Sequence, residues 1–308
     1  MYGGFGCHAE PLDLADWENY VRTIATRYRG KLTLYEVWNE PKFSDVQQTR
    51  NMAFFTGSTE AMLKLAEVAH KVLKEVDPSN QLASPGFTVN VSQLEHYLMA
   101  GGSKFADAVA FHFYVDAPES MPQKIQAVRD AMARAGLGDR PLWNTEQYFE
   151  LLPPGVKAPG PGGHGAETPE AIGAYTQRAH ILAAANGVKR MYWYGYELSM
   201  LDPDGSPGLV AARYNTVAHW LVGSRVGPCT APEAGVTACA LQRGTDKAFA
   251  VWRARGNSEF RVPKDWASTS LENSVGVTSD LDNSEPVIGA APILLKPSRA
   301  PWRMPAKQ

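Results

Sequence analysis

Apolar residues recur along this chain in two alternating rhythms. Between residues 13 and 28, Trp17, Val21, Ile24 and Tyr28 fall three or four positions apart, the spacing of one helix face, with Asp13 as a candidate N-cap. Residues 32–38 then read as a strand that runs into Asn39, Glu40 and Pro41. A helix over 59–76 places Leu65, Val68, Ala69, Val72, Leu73 and Val76 on one face, and Pro78 stops it because proline cannot continue a helix. The pattern next predicts a short strand at 81–84, an irregular helix at 94–99, a strand at 108–114, a helix at 123–135 stopped by Gly136, and a strand at 141–146. Thr168, Pro169 and Glu170 open a helix in cap-then-proline order, and Gly187 follows its end. Residues 190–196 are predicted as a strand and 211–222 as a final helix.

Strands that alternate with helices predict parallel βαβ units, hence an α/β fold. The strands so predicted are five, near Tyr35, Ala83, Phe111, Trp143 and Tyr192. From about Val226 the rhythm shortens to alternating stretches such as 248–254 and 292–295 between polar turns, which predicts a small antiparallel β domain. The expected division is 1–224 for the parallel part and 225–308 for a β-sandwich-like part. Residues 152–165 are rich in proline and glycine; following a strand end, they are either a cleft wall or lid, or an unconstrained surface loop.

Composition changes this picture in a few places. The net charge of −2 gives no electrostatic case for a nucleic acid or an anionic membrane as partner. No apolar run approaches the roughly 18–20 residues that span a bilayer. The eight Trp and 12 Tyr are more suggestive, because such rings stack on the apolar faces of sugars, although most rings belong to cores. Cys229 and Cys239 flank a turn-like stretch and form either a cross-strand disulfide or two free thiols; a disulfide would point to an oxidising compartment, and Cys7 is left over. No Cys/His cluster has zinc spacing, and the first residues lack the basic and apolar segments of a signal peptide.

Two glutamates stand where chemistry is expected. Glu40 ends the run Val37-Trp38-Asn39-Glu40-Pro41, and Glu146 ends Leu142-Trp143-Asn144-Thr145-Glu146. In a parallel β/α array, strand ends converge on one face, so residues distant in sequence meet there. Hydrolysis of a glycosidic bond needs such a pair, one carboxyl to protonate the leaving oxygen and one opposite it. A lone carboxylate at a strand end is more often a helix cap or an ion-pair partner. Asn39 and Pro41 around Glu40 shift that balance, because the amide can bind a sugar hydroxyl and the proline fixes the chain past the acid. Glu36 shares the strand face of Glu40 by alternation and reads as a polar interior residue rather than a catalyst.

Four motifs in order resemble one clan of retaining glycosidases, whose catalytic glutamates follow strands four and seven of a (β/α)8 TIM barrel. Trp38-Asn39-Glu40-Pro41 is similar to its acid/base motif, Phe111-His112-Phe113-Tyr114 to its sixth strand, Asn144-Thr145-Glu146 to its nucleophile strand, and Met191-Tyr192-Trp193-Tyr194 to its eighth. Tyr35 to Pro41 and the trailing β segment ending Pro292-Ile293-Leu294-Leu295 resemble glycoside hydrolase family 39 most closely. The resemblance implies that Glu40 is acid and then base, Glu146 the nucleophile, Asn39 the partner of the sugar 2-hydroxyl, Tyr114 a hydrogen-bond partner of Glu146, and Trp193 a platform under the sugar. His112 is either a hydrogen-bonding wall of the site or a satisfied interior histidine. Double displacement by two carboxyls calls for no cofactor and no metal.

The same resemblance makes 32–38 the fourth strand, with a remnant of the third near residues 2–8. The expectation is therefore an apparently N-terminally truncated barrel of about five strands of the usual eight, followed by the antiparallel β domain. A fragment of a longer product is preferred over a lapsed remnant or a barrel completed by a partner chain, because an open half-barrel exposes strand edges and apolar faces. The expected function is hydrolysis of a β-linked oligo- or polysaccharide by a secreted or periplasmic enzyme. The alternative is a non-catalytic or lapsed carbohydrate-binding fragment.

Overall fold

A computed structural model describes residues 8–46, 54–55, 57–152, 155, 165–281, 285–298, 300 and 302. Cys7, most of the 152–165 loop and all of the predicted strand remnant except His8 lie outside them. The chain divides into two compact units, one made of Met1–Phe113, Gln123–Gln147 and Lys189–Tyr192, the other of Tyr114–Pro122, Tyr148–Val188 and Trp193–Gln308.

The first unit carries the parallel strands. Its first helix, Leu14–Arg27, begins where the Asp13 carboxylate accepts from the Ala15 N–H at 2.8 Å, and it buries Val21 and Ala25. The second, Thr59–Val76, is capped by Ser58; of the predicted face it buries Leu65, Ala69, Val72 and Leu73, leaves Val68 and Val76 half-buried, and buries Met62 and Ala66 besides. Leu34–Glu36 pairs in parallel with Gln81–Ala83, Tyr35 opposite Leu82. Ala83 bridges to Ala108, Phe87–Thr88 pairs with Val109–His112, and Val109–His112 pairs with Leu142–Gln147. Arg190–Trp193 is the next neighbour, so strand order follows chain order, as in a singly wound βαβ array.

The second of these strands is broken at Ser84 and Pro85. Proline offers no N–H to a ladder, and the Ser84 hydroxyl accepts from the Ala110 N–H at 3.0 Å, so the line resumes at Phe87. The helix predicted from 94 begins three residues earlier, at Val91, because Asn90 caps it through the Ser92 N–H at 3.0 Å. The strand predicted to reach 196 ends at Trp193; Gly195, with φ 67°, turns the chain into the helical turn Tyr196–Ser199.

In the second unit, a six-stranded antiparallel sheet runs in the order 278–280, 270–272, 293–296, 246–253, 236–243, 225–230. Alternation along its strands fills two cores. Ala248, Ala250 and Trp252 pack with Leu241 and Leu294 against Ile181 and Leu182 of the helix Pro169–Ala185 and Val217 and Trp220 of the helix Leu209–Leu221. Phe249 and Val251 face the other way, into a core with Phe260, Leu281, Ile288 and Leu295. Cys229 and Cys239 stand opposite each other on neighbouring strands and are joined as a disulfide.

Candidate active site

After Leu34–Glu36 the chain leaves the strand but stays tied to its neighbour. Gly86 N–H donates to Trp38 O, and Glu40 N–H donates to Gly86 O, both at 2.9 Å, with Asn39 bridged to Gly86. These bonds hold Glu40 at φ 40°, in the left-handed region where a side chain costs about 1–2 kcal/mol. The Trp38 indole anchors the same turn by donating to Phe54 O at 2.7 Å. The strained backbone aims the Glu40 carboxyl at the end of Val109–His112.

There it meets His112. The imidazole is 1% exposed; its Nδ1 lies 2.8 Å from Glu40 Oε1 and 3.9 Å from Glu146 Oε1. One oxygen of each glutamate and the histidine nitrogen all lie within 4.8 Å of one another. The two carboxyl side chains keep 15% and 21% exposure, so both reach solvent while the ring between them does not. Below Glu146, the buried Asn144 amide donates to Phe111 O at 3.1 Å and to Glu146 O at 2.8 Å, and so ties the ends of the two strands together. Among the described residues, these two carboxylates and one imidazole are the one such cluster that could also present donors to a cation. A cation there would have to displace the 2.8 Å bond that His112 already makes to Glu40.

A third carboxyl belongs to the same neighbourhood. Glu36 is pushed up to about 7, chiefly by burial, against the Thr145 hydroxyl, the His112 charge and the Gly86 backbone; the nearby Glu146 charge pushes it further up. The Thr145 hydroxyl is buried without a closed hydrogen bond and borders the space beside Gly86, 3.2 Å from where a Cβ would stand. Gly86 is what lets these groups converge, since a Cβ at that position would collide with both Glu36 Oε1 and His112 Nε2.

Of the residues singled out from the sequence, Glu40, His112 and Glu146 come together in the first unit, with Asn39 exposed beside Glu40. Tyr114 and Trp193 belong to the second unit. There the Tyr114 ring meets Tyr148 edge-on at 5.8 Å; Trp193 stacks on His180 at 6.1 Å, and its indole N–H points to Ser199 Oγ at 3.4 Å. Gly86 and Thr145 escape the sequence reading. The glycine directly after a Ser-Pro strand break was the available signal, because a glycine within a strand line often marks close approach.

In sequence, the chain matches no protein-family model and no curated protein. In structure it is similar to a family 39 glycoside hydrolase from the gut symbiont Bacteroides cellulosilyticus WH2, with TM-score 0.69 and 16% identity over 93% of this chain and 63% of that one. It is also similar to a monomeric beta-xylosidase from Caulobacter crescentus CB15, with TM-score 0.56 and 16% identity over 83% and 54%. A GH30 endoxylanase from Clostridium papyrosolvens C71 superposes with TM-score 0.60 and 13% identity over 94% and 72%. The chain thus spans less than two thirds of the length of the first two. At these identities it is the architecture that is shared, and the fold of this chain is that of glycoside hydrolases of the family 39 and family 30 type.

Proposed function

We propose that this chain carries the catalytic centre of a retaining glycosidase that cleaves β-linked oligo- or polysaccharides. The observation that carries the reading is the approach of the Glu40 and Glu146 carboxyl oxygens to within 4.8 Å across His112. Retaining enzymes hold their two carboxyls roughly 5–5.5 Å apart, whereas inverting ones leave roughly 6.5–9.5 Å for a water. The structural likeness to a family 39 glycoside hydrolase supports the same reading.

The roles follow from what each carboxyl touches. Glu40 Oε1 shares a hydrogen bond with His112 and so sits in a path for a proton, while Glu146 stands farther from the ring. Glu146 attacks the anomeric carbon as the bond to the leaving oxygen breaks, and Glu40 gives that oxygen its proton. Water then attacks the glycosyl ester, Glu40 takes the water's proton, and Glu146 leaves as carboxylate. Asn39 binds the sugar 2-hydroxyl and His112 walls the site. The Cys229–Cys239 disulfide supports residence in an oxidising compartment, outside the cell or in a periplasm. Among the described residues no helix is long and apolar enough to cross a membrane.

The test is hydrolysis of aryl β-xyloside, β-glucoside, β-galactoside and β-mannoside by the 308-residue chain, with the anomer of the first-formed product read by NMR. Turnover of one of these with retained configuration, lost by at least about a hundredfold in Glu146→Ala, is expected. Inverted product, or undiminished turnover in the variant, overturns the assignment.

A further inference from the structure

We propose that Asn144 is a positioning residue of this centre, whose buried amide ties Glu146 to the strand that carries His112 and so fixes how far the two glutamates stand apart. The inference rests on the reading of Glu146 as nucleophile and Glu40 as acid and base. Parallel register sets Val109 opposite Leu142 and Ala110 opposite Trp143. One step further along, Phe111 comes level with Asn144, and there a side chain adds a tie between the strands. One amide hydrogen of Asn144 goes to Phe111 O at 3.1 Å and the other to Glu146 O at 2.8 Å.

Every link from one glutamate to the other is then a covalent neighbour or a hydrogen bond. Asn144 donates to Glu146 O and to Phe111 O, Phe111 precedes His112 in the chain, and His112 Nδ1 lies 2.8 Å from Glu40 Oε1. The Glu40 main chain is held in turn by its bond to Gly86 O. Asn144 is 0% exposed, whereas the Glu146 side chain keeps 21%, so the solvent that reaches the carboxyl does not reach the tie. A primary amide suits the place because it carries two donors on one nitrogen; a carboxylate of the same shape carries none.

What the tie decides is a separation. Oxygens of Glu40 and Glu146 stand within 4.8 Å of each other, and misplacing a reacting group by about 1 Å costs on the order of a hundredfold in rate. Removing the amide strips a donor from both carbonyls. The end of the strand Leu142–Gln147 then relaxes toward water to regain one, and carries Glu146 away from the ring of His112.

The experiment uses the full chain, Asn144→Leu, which keeps the bulk and removes both donors, and Asn144→Asp, which keeps the shape and puts acceptors in their place. Crystal structures read the distance between the nearest carboxyl oxygens of Glu40 and Glu146, which should grow by about 1 Å in both variants. On the glycoside selected by the aryl panel, kcat/KM should fall at least about tenfold. The loss should be equal for phenyl and dinitrophenyl leaving groups, because both need the nucleophile and only phenyl needs the acid. An unchanged distance in a folded variant overturns the proposal, and so does undiminished kcat/KM or a loss confined to the phenyl glycoside. A widened distance in variants of a chain that hydrolyses none of the glycosides upholds the tie and overturns the glycosidase reading instead. If Asn144→Leu does not fold, Asn144→Asp decides.

Discussion

Glu40 occupies a backbone conformation that glycine would adopt at less cost, and it does so because two main-chain bonds to Gly86 leave the turn no alternative. The same Gly86 admits Glu36 and His112 to one spot, so one small residue serves both the main chain and the side chains of the site. Gly86→Ala should therefore lower kcat by about tenfold or more while the circular dichroism spectrum stays that of the parent; full activity would show that the Cβ finds room. Glu36 makes a separate prediction about stability. Its folded value, about 7, lies above the ordinary 4.5, so the folded state holds this proton more tightly than the unfolded chain does. That contribution is complete below about pH 4.5 and is lost as pH rises through about 7. Chemical denaturation at about pH 5 and pH 8 should show the parent losing on the order of 2 kcal/mol relative to Glu36→Gln over that interval. Equal pH dependence in the two chains would contradict the shift.

At the scale of elements, the helix starts at Asp13 and Thr168 were legible because caps act locally, whereas the Asn90 cap, which starts its helix at Val91, was missed. Asp13 bonds two residues ahead and Thr168 three ahead, within reach of any reading of neighbouring letters. The strand break at Ser84 and Pro85 was half legible: proline signals it, but the rescue by the Ser84 hydroxyl depends on a strand 26 residues away. Longer reach hides more. Glu272 and Lys296 lie on adjacent strands of the antiparallel sheet, form a buried ion pair at 3.0 Å, and are closed by Trp220 Nε1, which donates to Glu272 at 2.9 Å. Nothing in the local pattern at either residue announces a buried charge. Lys296→Met should cost about 3–5 kcal/mol by leaving Glu272 uncompensated, and Glu272→Gln in the same chain should recover most of it. Urea melts of the single and double variants check the sign, and a double variant as unstable as the single would contradict it.

For the molecule as a whole, the change from parallel to antiparallel strands was legible from the change of rhythm near Val226, since strand–helix alternation and hairpin alternation have different periods, whereas the compact units divide elsewhere, with Tyr148–Val188 and Trp193–Gln308 in one. Pairing of Cys229 with Cys239 was open on sequence and is closed by the antiparallel register that sets them opposite each other. Reduction, or replacement of both by Ser, should lower the stability of the unit that holds them by about 2–3 kcal/mol, the loop-closure value for so short a span. A thermal melt with and without reductant, unchanged between the two, would show that the neighbouring strands alone hold the register.

The sequence by itself determined the alternation of strands and helices, the two helix starts marked by Asp13 and Thr168, and that two glutamates stand at strand ends in the pattern Asn-Glu-Pro and Asn-Thr-Glu. Each of these rests on contacts within a few residues, where period and propensity decide. Only the tertiary structure decided that His112, 72 residues from Glu40, would bond it, and that Glu36 Oε1 and His112 Nε2 would both border the space that Gly86 leaves open. Those relations are distances of a few ångströms between separate strands, fixed by register and by the packing of a glycine, and no local pattern of letters carries them.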